Sequence, residues 1–110
     1  MEENINLATV HFYRTKNWFG FLIRPKLLMN FNPISTIKRN WKKTITVPTG
    51  TYIFSAATEV RKKIELQVEA GKQYFVKCSL KFGFFVGRIE FTLMDAEKAK
   101  QEMKGLRAED

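Results

Sequence analysis

Strict alternation of apolar and polar side chains constrains this chain more than any other feature. Successive residues of an extended strand point to opposite faces, so a period of two marks half-buried strands. In "KIELQVE", Ile64, Leu66 and Val68 point one way, and Lys63, Glu65, Gln67 and Glu69 point to water. In "QYFVKCSLK", Tyr74, Val76, Cys78 and Leu80 share one face and Phe75, Lys77, Ser79 and Lys81 the other. The "AGK" between them is a short glycine-bearing connection of the hairpin type, so these two segments are expected to pair antiparallel. Near the start, "ATVHFYR" sets Ala8, Val10 and Phe12 against Thr9, His11 and Tyr13.

Turn formers punctuate the pattern. Pro48 ends the strand in "NWKKTITV", and Gly50 allows a turn before residues 51–56 extend again. "NPIS", Asn32 to Ser35, reads as a further turn, and Pro25 indicates a sheet edge or a bulge. About seven short strands with regularly spaced turn signals make an antiparallel all-β sandwich or small barrel. Only the C-terminal end changes period. From an N-cap at Asp95, "DAEKAKQEMKGLR" carries a helical stripe of Ala96, Ala99, Met103 and Leu106, stopped by Gly105. The expected organisation is a tail over 1–7, a β-sandwich domain over 8–94, a C-terminal helix over 95–106 packed on it, and a second tail over 107–110.

At 110 residues the chain makes one domain and buries roughly two-thirds of the surface its unfolded form exposes. Its single cysteine, Cys78, excludes an internal disulfide and any multi-cysteine zinc site. On the apolar face of its strand that thiol is expected to be buried, with a raised pKa and little reactivity. "WFGFLI", Trp18 to Ile23, is too short and too far from the start to be a signal peptide, and no apolar run approaches the ~20 residues of a transmembrane helix. The expectation is a cytoplasmic protein, or a cell-envelope protein whose export signal has been removed.

Candidates for catalysis are few. His11 is the lone histidine and lies in a strand, where a surface or hydrogen-bonded role is expected. Glu65, Glu69, Glu90, Asp95, Glu97 and Glu102 fall on solvent faces or on the helix, with no carboxylate pair for acid and base work. No glycine-rich phosphate loop opens a helix. The chain is therefore expected not to be an enzyme and to carry no cofactor or catalytic metal.

Basic residues remain. Nineteen Lys and Arg against eleven Asp and Glu give a formal charge of +8, which attracts polyanions or an anionic membrane surface. The densest cluster is "IKRNWKK", where Lys38, Arg39, Lys42 and Lys43 surround Trp41. As a turn leading into a strand it would offer an indole for stacking, and these five residues are the candidate partner- or anion-binding site. The competing role is an edge hairpin protected by its cations, with Trp41 covering the core.

"LKFGFFVGR", Leu80 to Arg88, comes close to the RNA-recognition signature of a basic residue, glycines and interleaved aromatics. Its glycines are displaced, and no helical period precedes residue 95. Alternation in the following "RIEFTL" puts Ile89, Phe91 and Leu93 on the core face with Phe85 and Gly87, and turns Val86, Arg88, Glu90 and Thr92 outward. Phe82 and Phe84 then lie near a bend at Gly83, and whether Phe84, Val86 and Arg88 form an exposed patch is left to the tertiary structure.

"ATVHFYR", "VPTGTYIFSA", "LQVEAGKQYFVK", "FFVGR" and "LMDAEKAKQEM", in that order, resemble the bacterial family called domain of unknown function 2846. The resemblance implies an immunoglobulin-like or transthyretin-like β-sandwich, often in small envelope lipoproteins, and implies no enzymatic activity. The expected function is a non-enzymatic binding or structural module contacting a protein or cell-envelope component. The alternative is polyanion binding, to nucleic acid or acidic polysaccharide, through the cationic hairpin. Unpaired sheet edges add the expectation of a homodimer.

Overall fold

A computed structural model of the chain describes residues 6–84 and 87–109. Among them are nine strands and one helix: β1 Leu7–Arg14, β2 Lys26–Met29, β3 Asn32–Thr36, β4 Trp41–Pro48, β5 Gly50–Ala57, β6 Arg61–Val68, β7 Gln73–Lys81, β8 Arg88–Met94, α1 Ala96–Met103 and β9 Arg107–Ala108. They form two sheets, in the orders β8-β7-β1-β4-β9 and β3-β2-β5-β6.

The two sheets share one apolar core. Val10 and Phe12 of β1 and Val76 and Cys78 of β7 meet Leu27 of β2, Phe54 and Ala56 of β5, and Leu66 and Val68 of β6. The Phe12 and Phe54 rings join the sheets edge to face, 4.8 Å between centroids. The expected inward sets of β1, β6 and β7 do face this core, because alternation reports the side of a sheet directly, but Tyr13 of β1 and Phe75 of β7, on the opposite face, are buried as well, under the C-terminal helix. Leu93 is an exception. It shares a face with Ile89 and Phe91 but sits on the outermost strand of its sheet and stays 53% exposed. The expectation for Phe85 and Val86 lies outside the described residues.

Strand pairing differs from the expectation in one important place. β6 and β7 do not form a hairpin: β6 pairs with β5 in the second sheet, while β7 runs parallel to β1 in the first. Gly71, at φ +80°, carries the chain from one sheet to the other. The crossing is tied to β1, with Gly71 N donating to Leu7 O and Thr9 N to Lys72 O, both at 3.0 Å. β9 also pairs parallel, with β4, so the sheets are not wholly antiparallel.

"NPIS" is not a turn. The turn lies one step earlier, at Asn30 and Phe31, whose φ angles of 50° and 67° are those of a two-residue hairpin between β2 and β3. Asn30 secures it, donating its N–H to Ile53 O (2.7 Å) and accepting from Ile53 N at its side chain (3.0 Å). Pro33 then falls in β3, an edge strand where a missing N–H is tolerated. Pro25, where a sheet edge or a bulge is expected, precedes β2 and lies in neither sheet, its carbonyl accepting from Ile37 N (2.8 Å), and the register shift of β2 comes further on, between Leu27 and Leu28.

Asp95 caps α1 as expected, accepting from Glu97 N and Lys98 N. Ala99, Met103 and Leu106 pack on Tyr13 and Phe75, on the outer face of the first sheet, whereas Ala96 is exposed. The helix ends at Met103, short of the expected residue 106, and the last residues are no tail. After Gly105, Trp41 pairs with Arg107 and Lys42 with Ala108, and Glu109 N donates to Lys42 O (2.9 Å).

Candidate functional site

The cluster around Trp41 is divided by the tertiary structure. Trp41 is 3% exposed, and its indole N–H donates to Glu109 Oε1 at 2.6 Å. The same carboxylate accepts from Ser35 Oγ and forms an ion pair with Lys43 at 3.3 Å. Burial alone would raise the Glu109 pKa, but these three donors and the Lys43 charge outweigh it and hold the carboxyl below its ordinary value. Lys42 reaches Met103 O at 3.4 Å, beside the helix. Trp41 is therefore no stacking platform. Only Lys38 and Arg39 of the five remain together on an open surface.

That surface is a basin of about 410 Å³ lined by Arg24, Lys38, Arg39, Asn40 and Arg107. Four of its five lining residues are cations and none is acidic, so the local potential is strongly positive. Asn40, at φ +59°, builds the corner: its N–H donates to Thr15 O (3.1 Å) and its side chain accepts from Arg107 N (3.3 Å). Arg39 donates to Lys16 O (2.8 Å) and sets its guanidinium 5.6 Å from the Trp18 ring centroid.

Trp18 begins an aromatic tip. The loop from Thr15 to Pro25 is organised by Arg14, whose side chain is 3% exposed and donates to Gly20 O and Ile23 O, both at 2.7 Å, and to Ile37 O at 3.2 Å. Burial lowers the Arg14 pKa, and the nearby Arg39 and Arg24 charges push the same way. Gly20, at φ +70°, packs against Leu80, where an added Cβ would stand 3.1 Å from Leu80 Cγ. Gly87 approaches from the other loop, its position leaving only 2.9 Å between an added Cβ and Leu80 Cδ1. The two loops thus close over one leucine, with the Phe19 and Phe82 rings 4.6 Å apart. Glu59 steadies the second loop, accepting from Phe84 N (2.8 Å) and Arg88 Nε (3.2 Å).

What this scaffold presents is apolar. Trp18 is 69%, Leu22 73%, Phe82 86% and Phe84 84% exposed, and an apolar hollow of about 390 Å³ opens between Phe19, Ile23, Phe82 and Phe84. Tip and basin are contiguous, since Trp18 lies under Arg39 and Ile23 of the hollow precedes Arg24 of the basin.

No family model, no curated protein and no solved structure matches this chain. The resemblance to the domain of unknown function 2846 family gains no support from these comparisons.

His11, Tyr13 and Cys78 serve structural contacts. His11 Nε2 donates to Gln73 Oε1 (2.7 Å), Nδ1 is hydrogen-bonded to the Thr44 hydroxyl (2.8 Å), and the ring stacks on Phe75 at 4.5 Å. Tyr13 donates to Glu102 (2.7 Å), and burial, then this bond, pushes the phenol pKa up. Cys78 is buried, and burial pushes its thiol up as well. Among the described residues no three His, Cys, Asp or Glu side chains are grouped to hold a metal, and no helix is long and apolar enough to cross a membrane.

The expected cationic hairpin is no hairpin, because residues 37–40 cross from β3 in one sheet to β4 in the other, and β4 lies between β1 and β9 rather than at an edge; the basin instead takes Arg24 and Arg107 from distant parts of the chain, which sequence spacing cannot reveal. The tip did leave a trace. Residues 18–23 form an apolar run without alternation, unlike the strands that alternate on either side of the molecule's core, β1 and β6. Loops run over the surface, so an apolar run in a loop signals exposed apolar side chains.

Proposed function

We propose that the chain is a non-enzymatic binding module, an immunoglobulin-like or transthyretin-like sandwich, that docks on its partner through the aromatic tip. The observation carrying this reading is the exposure of Trp18, Leu22, Phe82 and Phe84 on two loops joined by the Phe19–Phe82 ring contact and the hollow between them. Single exposed apolar residues are ordinary, but contiguous ones mark interaction surfaces. Each of these side chains contributes about 1.5–3 kcal/mol when fully buried, so the four together are of the same order as the losses of docking. The structural use made of His11, Glu102, Glu109 and Cys78 supports a non-enzymatic role. A second reading, polyanion binding, is favoured by the basin of Arg24, Lys38, Arg39 and Arg107, rather than by the residues around Trp41.

Photo-cross-linking in cells that make the protein tests the docking surface. A benzophenone amino acid replacing Leu22 or Phe82 should give adducts, and one replacing the exposed Lys62 of β6 should not. Equal yields at all three positions, or none at the tip, would remove the tip from the function.

A further inference from the structure

We propose that the partner is an anionic phospholipid bilayer: Trp18, Leu22 and Phe82 enter the boundary between headgroups and acyl chains, and the basin of Arg24, Lys38, Arg39 and Arg107 takes lipid phosphates. The inference rests on the tip being the docking surface and adds what it docks on. Charge complementarity selects the occupant. An apolar projection stands beside four cations with no acidic residue among the basin's lining, on a chain of formal charge +8. Cations beside amphipathic rings match the layering of a membrane interface, where ring and aliphatic stem lie deeper than the charge. Arg39 held over Trp18 has this arrangement already built.

The alternatives fit less well. A single-stranded nucleic acid needs ring faces set along a track of cations. Here the cations collect in one basin, one face of Trp18 is under Arg39, and Leu22 has no face to stack. A protein partner requires a broad complementary area, whereas this tip is a few projecting side chains from two loops. A bilayer accepts a projection of any outline. Neither part is sufficient alone, because one small apolar anchor binds membranes only marginally and a polybasic patch supplies the second attraction.

Cosedimentation of the intact protein with phosphatidylcholine vesicles, with and without phosphatidylglycerol, tests the proposal, together with the emission of Trp18 above the constant background of buried Trp41. Binding to the mixed vesicles should be about 100-fold tighter than to phosphatidylcholine alone, weaken as salt rises, and shift Trp18 emission to the blue. Arg24→Gln/Lys38→Gln/Arg107→Gln should remove most of that preference. Trp18→Ser/Leu22→Ser/Phe82→Ser should lose binding to both vesicles while still unfolding in one cooperative transition, since all three side chains are exposed and outside the core. Binding indifferent to phosphatidylglycerol, or undiminished in the tip variant, would overturn the proposal. So would inorganic phosphate competing fully with vesicles, because the basin would then bind free anions without the tip. Tip-dependent binding to an oligonucleotide, tip-dependent self-association, or adducts at Leu22 and Phe82 with a protein and none with lipid would also overturn the bilayer while leaving the tip as the docking surface. Absence of both vesicle binding and tip adducts would remove the two readings together.

Discussion

Arg14 and Gly20 hold the tip in place, and neither shows this role in its local sequence. Period two puts Arg14 on the core face of β1 with Val10 and Phe12, where its buried guanidinium gathers the carbonyls of Gly20, Ile23 and Ile37. Gly20 supplies both a positive φ and the room for Leu80, which a side chain would remove. Gly20→Ala should therefore cost about 1–2 kcal/mol in the left-handed backbone alone, read as a lower urea midpoint with unchanged slope. An unchanged midpoint would show that the loop does not need this conformation. Trp41 teaches the converse lesson. Its neighbours in sequence are cations, but its partner in space is Glu109, so local density misreads a core residue as a binding one.

Elements were legible where one physical signal decides them. Alternation locates β1, β6 and β7 and their buried faces, and the Asp95 cap with the Ala99–Met103 spacing locates α1. Pairing was not legible at β6 and β7, because strands on facing sheets turn their apolar sides to the same core and give the same pattern as a hairpin. The helix stripe was right at Ala99, Met103 and Leu106 and wrong at Ala96, which lies beyond the cover of the sheet. Met103→Ala should cost about 2–3 kcal/mol by opening a cavity over Tyr13 and Phe75, whereas Ala96→Ser should stay within about 0.5 kcal/mol. Chemical denaturation distinguishes the two, and equal losses would contradict the packing described.

Across the whole molecule, two carboxylates clamp the C-terminal segment to the first sheet. Glu102 is held below its ordinary pKa by the Tyr13 hydroxyl first and by Lys77, with burial opposing, and Glu109 is lowered likewise. A depressed carboxyl pKa contributes stability above the unfolded value, near 4.3, and loses it as pH falls below. Tyr13 has the opposite sign: its raised pKa contributes stability below about 10, lost as pH rises above. Unfolding free energy should therefore be greatest between these limits. Glu102→Gln/Glu109→Gln should flatten the acid side of the profile and weaken the alkaline side in part, since Tyr13 loses the Glu102 carboxylate but stays buried, whereas Glu109→Gln alone should leave the alkaline side in place; an acid side as steep as wild type in the double variant would show that other groups govern it.

The sequence by itself determined an all-β chain with a capped C-terminal helix, because alternation and capping act between residues a few positions apart. It also determined a strongly basic surface, since charge needs no fold to be counted. Only the tertiary structure decided which strands pair, that β7 runs beside β1, and that residues 107–109 return to β4. It alone joined Arg24, Lys38, Arg39 and Arg107 beside Trp18, and left Phe82 and Phe84 outside the core. These outcomes depend on contacts between residues far apart in the chain, where free energy depends on which surfaces meet rather than on the order in which residues occur.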